Sequence, residues 1–155
     1  MESALNKKPL SCKILILMHL ILGIGAIFGG LVLMIDPSGG VIKMPVTLLE
    51  NSPFNSFLIP GMILFVILGV LPLIISFALA TKWPWNAANI LNIFPEMHWS
   101  WAYSLYLGFA LIIWITIEIY LIKGIAFIQV GYIFLGLIIQ AMTMLPTVQK
   151  YYGIK

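Results

Sequence analysis

Glu118 interrupts the long apolar run from Trp99 to Ile122 in this 155-residue sequence. A carboxylate in a run that crosses a bilayer is costly and so marks a site by default. Two readings stand: a group that binds substrate or moves a proton, and a near-interface carboxylate that reaches water or makes a structural hydrogen bond. Glu118 lies five positions before Lys123, and Gln129 five after Gly124, so a tight hairpin between them sets both at one height as neighbours. Asp36 completes the candidate ligand or coupling site of Glu118, Gln129 and Asp36. With Glu50, Lys43 and Lys123 it either closes a pocket for a lipid head group or small ligand, or pairs charges at the interface.

A second polar layer is expected at the other end, where His19, Ser104 and Gln140 each lie five residues inside the ends of their runs. About 14 helical residues, roughly 21 Å at 1.5 Å each, separate the layers, and they are mainly apolar. A proton or ion path needs polar stepping stones, so a single subunit is poorly equipped for conduction. His19 reads as a hydrogen-bonded structural group or a ligand, and His98 as an interfacial residue. With Cys12 alone and the histidines dispersed, no disulfide and no metal site is expected. No nucleophile elbow is present, and nothing calls for a cofactor.

The elements that hold these groups follow from composition. The chain is 62% hydrophobic and 8% charged, against about 25% charged in soluble domains, which excludes a water-soluble reading. Four apolar runs are long enough to cross a bilayer: 14–35, 57–80, 99–122 and 125–145. The first, though preceded by Lys7, Lys8 and Lys13, is longer than a signal core and reads as an uncleaved span. Backbone groups must be paired in hydrocarbon and the runs lack period-two alternation, so each is a helix. The expectation is an all-α membrane protein: a single domain, 1–155, formed by a four-transmembrane-helix bundle with a tight helix 3–helix 4 hairpin.

Lys7, Lys8, Lys13, Lys82, Lys150 and Lys155 fall on one side, against Glu2 and Glu96. Lys43 and Lys123 fall on the other, against Asp36, Glu50 and Glu118. Positive loops stay cytoplasmic, so both termini are expected there, and the net charge of +3 reads as topology. Trp83, Trp85, Trp99, Trp101, Tyr151 and Tyr152 would form an inner aromatic belt. The lysines are scattered singly, which argues against nucleic acid.

Local signals refine this frame. Gly124 is expected to supply the unusual backbone of the hairpin turn. Pro60 and Pro72, the latter helped by Gly69, should kink span two. Asp36 to Gly40 reads as a turn, Pro45 to Glu50 as a short helix, and Ser52-Pro53 as an N-cap with Pro at the first helical position. Asn86 to Phe94 looks like an amphipathic segment on the membrane surface. Small and polar residues share helical stripes: His19, Gly23, Ala26 and Gly30; Ser100, Ser104, Gly108, Leu111 and Glu118; Gln129, Tyr132, Gly136, Gln140 and Thr143. Such stripes face the bundle interior. The Gly25-x-x-x-Gly29 spacing is read as packing within the chain rather than dimerisation.

Asp36-Pro37-Ser38-Gly39, Ser52-Pro53-Phe54 and Ile59-Pro60-Gly61, with Trp114, Glu118, Gln129 and Pro146, resemble a family of small bacterial integral membrane proteins without an assigned activity. The resemblance implies a bacterial inner membrane and no reaction. The function expected is therefore a non-enzymatic accessory, binding or sensing component with an outer-face polar site. Its partners would be the lipid bilayer and either a second copy or another membrane protein. Two alternatives are carried: a small oligomeric proton- or ion-coupled transporter with Glu118 as its coupling carboxylate, and a membrane enzyme acting on lipid or quinone.

Overall fold

The computed structural model describes residues 7–154, so Glu2 and Lys155 of the charge balance lie outside the described residues. Helix α1 spans Leu10–Ile35. Helix α2 spans Leu58–Thr81 and contains a π-helical stretch, Leu64–Val70. A single turn, α3, covers Asn86–Asn89, and α4 covers Trp99–Ile122. Helix α5, Phe127–Thr143, is followed by α6, Pro146–Tyr152, at 64° to it. Three helices, α1, α2 and α4, are long and apolar enough to cross a membrane, and the bent α5–α6 pair is a fourth candidate if taken as one.

The run expected at 125–145 is thus shorter as a straight helix. Its 17 residues rise about 25 Å, and Pro146 restarts the chain as α6 because a proline is at home in a first helical turn. Helix α6 folds back under the bundle: Val148 and Tyr152 are buried, the Tyr152 hydroxyl donates to Leu79 O at 2.6 Å, and Ile154 N–H donates to Glu96 O at 2.7 Å.

Glycines set the helix contacts. Helix α1 packs along α2, where a Cβ on Gly23 would meet Gly69 O at 2.9 Å and one on Gly30 would meet Gly61 O at 2.8 Å. Helices α4 and α5 repeat the device, with Gly108 and Gly136 each bringing its would-be Cβ to 3.1 Å from the other's carbonyl. Small residues let membrane helices approach this closely. The interior stripes named above are buried at every position except Tyr132 and Glu118, which are half-buried.

Several local expectations are corrected. Pro60 lies in the first turn of α2, where its missing N–H leaves no bond unmade. At Pro72 the missing N–H is accommodated by the π-helical stretch, with Leu71 N–H reaching back to Val66 O, and Gly69 packs against Ile27. Ser52 caps no helix: its hydroxyl accepts from Phe54 N–H at 3.1 Å and donates to Leu49 O at 2.8 Å, closing the 3-10 turn Val46–Leu49. In the segment expected at the membrane surface, Asn86–Asn89 forms a helical turn, and the Asn92 amide then turns the chain by binding Phe94 N–H and Met97 O. The hairpin turn takes its left-handed residue from Lys123, at φ 53°, rather than from Gly124.

The aromatic belt is corrected too. Trp99, Trp101 and Tyr152 are buried, and their N–H and O–H groups bond Trp83 O, between helices, and Thr143 O and Leu79 O, in the last turns of α5 and α2. Trp83 and Trp85 remain partly exposed, stacked at 5.3 Å between ring centroids.

Candidate functional site

The α4–α5 hairpin brings Glu118 and Gln129 together, with Gln129 Nε2 donating to Glu118 Oε1 at 2.9 Å. The amide cannot turn over without loss. Its Oε1 accepts the Ala126 backbone N–H at 2.9 Å, one of the donors that the start of α5 cannot pair internally. The backbone therefore fixes which end of Gln129 faces the carboxylate. Glu118 Oε2 receives no hydrogen bond from a described residue.

Asp36 is the exception among the expected site residues. It is spent within its own loop, accepting from Val41 N–H at 2.8 Å and from the Ser38 hydroxyl and N–H. The Ser38 hydroxyl holds its carboxyl below the usual range. The charge pairing expected on this side is replaced by neutral partners: Lys123 Nζ donates to Asn51 Oδ1 at 2.8 Å, tying the 36–57 loop to the hairpin. Among the described residues no three His, Cys, Asp or Glu side chains converge on a metal position.

Glu118 and Gln129 line a cavity of about 270 Å³ between α1, α2, α4 and α5. Chain order gives its depth. Leu22, Leu68 and Leu111 are the innermost lining residues of α1, α2 and α4, each about 1% exposed, and with Tyr132 of α5 they form the floor. Ile42, Met44, Leu49, Phe54 and Phe57 of the 36–57 loop line the opposite end. Gly25 and Gly29 lie on the α1 wall, where a Cβ at Gly25 would be 3.4 Å from the Tyr132 hydroxyl. Their spacing opens room inside the chain. Trp114 also lines the chamber.

His19, Ser104 and Gln140 are all buried beyond that floor, yet no hydrogen bond joins them. His19 Nδ1 is 2.8 Å from Leu15 O, and the Ser104 hydroxyl is 2.8 Å from that of Thr143, one turn from Gln140. His19 Nε2 and Gln140 Nε2 have no partner among the described residues. The two polar layers are separated by the packed leucines.

Sequence reasoning placed Glu118 beside Gln129, set Tyr132 on the Gln129 stripe and carried a pocket closed by the outer loop as one of two readings, but it built that pocket from charges and missed its apolar walls. Their signal was the apolar content of the loop, since Leu49 and Phe57 are buried in a segment otherwise rich in turn formers. Comparison with known proteins gives no match to a family model, to a curated protein or to a solved structure.

Proposed function

We propose that this chain is a four-span membrane protein with cytoplasmic termini, acting as a non-enzymatic binding or sensing component that holds a small apolar molecule in its chamber. The resemblance to small bacterial membrane proteins suggests an inner membrane as the setting. One observation carries the reading: a cavity of about 270 Å³ whose walls are apolar except for a few polar groups, Glu118 and Gln129 chief among them. Ligand sites have this composition, with apolar walls for affinity and few polar groups for orientation. The leucine floor favours binding over conduction, because a blind chamber offers no path onward.

Native mass spectrometry of protein released from its own membrane tests the reading, comparing the natural chain with Gly25→Leu, whose side chain would grow into the chamber beside Tyr132. A small-molecule adduct on the natural chain that is lost in the variant is the expected result. The same adducts on both, or none on either, would refute it. The transporter reading keeps one supporting feature, the π-helical stretch of α2, from which Leu64 and Leu68 reach the chamber; such turns recur at functional sites. Coupled flux in liposomes would favour that reading.

A further inference from the structure

Among the described residues, the lining of the chamber contains one carboxylic acid and no lysine, arginine or histidine. Gln129, its one hydrogen-bonding neighbour among the described residues, is neutral and covers only Oε1. Lys123, the nearest cation along the chain, is committed to Asn51. A half-buried carboxylate set among apolar walls is stabilised by an opposite charge or further donors, and no described residue supplies either at Oε2. The same walls carry the rings of Phe28, Phe54, Phe57, Trp114 and Tyr132. Aromatic faces attract cations, most strongly where water is excluded, and they give an anion no counter-charge. Together these groups make one polar acceptor in an aromatic, apolar room.

We infer that the occupant is an amphiphilic monovalent cation, an apolar body bearing a single ammonium group that sits against Glu118 Oε2. The inference rests on the binding reading above and names the ligand class for that same chamber. Glu118 supplies the charge, Gln129 holds the carboxylate in place, and the rings accept the body of the ligand. Selectivity comes from the absence of any second charge in the lining.

Three probes of nearly equal size separate the alternatives: phenylbutylammonium, phenylbutanol and phenylbutyrate, titrated calorimetrically into the full chain in lipid nanodiscs. The ammonium should bind the natural protein at least about tenfold more tightly than the alcohol, a difference of about 1.4 kcal/mol, and the carboxylate should bind most weakly. Glu118→Gln keeps the side-chain shape and should abolish the preference for ammonium over alcohol, bringing the two to equal affinity. Equal binding of ammonium and alcohol to the natural protein, both lost in Gly25→Leu, would overturn the cation inference and leave the chamber reading standing. Binding of every probe equally to the natural protein and to Gly25→Leu would overturn both.

Discussion

Replacing Gly30 by alanine tests whether the α1–α2 pair is held at backbone contact distance. The new Cβ would lie 2.7 Å from Phe65 N and 2.8 Å from Gly61 O, both backbone atoms that no rotamer change can move. Relief to ordinary contact at 3.4 Å requires the helices to part by about 0.7 Å, and overpacking of this kind costs about 1–3 kcal/mol. Rigid backbone on both sides puts Gly30 near the top of that range. Alanine's better helix propensity returns about 1 kcal/mol, leaving a loss of about 2 kcal/mol. Gly131 is the internal control, since a Cβ there meets nothing within 4 Å, so Gly131→Ala should gain up to about 1 kcal/mol. Reversible unfolding in mixed micelles of increasing dodecyl sulfate content, followed by helical circular dichroism, measures both. The Gly30→Ala/Gly61→Ala pair should be non-additive, because each substitution opens the same contact. Equal stability of Gly30→Ala and Gly131→Ala would refute the close approach.

Gln129→Leu removes the acceptor of Ala126 N–H and the donor to Glu118 together, and should cost about 1–3 kcal/mol in the same unfolding assay. Tyr152→Phe should cost only about 1 kcal/mol, because Lys8 Nζ also reaches Leu79 O, at 3.4 Å. A neutral result for Gln129→Leu, or a larger loss for Tyr152→Phe than for it, would contradict these assignments. Burial pushes His98 below its ordinary value of 6.5, helped by the Lys82 charge. The unfolded chain therefore takes up the proton first: stability is complete above about pH 6.5 and falls as pH drops through that value toward the lower folded one. His98→Asn keeps an N-cap acceptor for α4 and should lose this part of the pH dependence of Tm. An unchanged profile would contradict it.

The helices were legible because bilayer-length apolar runs leave the backbone little choice, and Trp99–Ile122 matches its run at both ends. The Glu118–Gln129 bond was legible because a tight hairpin equates positions counted from its turn. What escaped depended on side chains meeting across the fold. Nothing in the local order of residues 36 to 57 says that Phe57 turns inward while Asp36 is consumed by Ser38 and Val41. Trp101 and Tyr152 looked like belt residues because their type is at home at an interface; their buried partners, Thr143 O and Leu79 O, are 42 and 73 residues away. Lys123 rather than Gly124 takes the left-handed position that ends α4, and its ammonium reaches Asn51 in a distant loop, a contact the hairpin's own sequence does not announce.

The Tyr152–Leu79 and Ile154–Glu96 bonds have a bearing on how the molecule is made. A chain is synthesised from its amino terminus, so α4 fastens the 82–98 loop first, through Trp83, Ala88 and Leu91, and α6 adds its bonds only once α5 has been made. The seating of α6 is thus a second closure on a loop already in place. A change that held α6 away would leave the loop on α4 while removing its bonds to Tyr152 and Ile154.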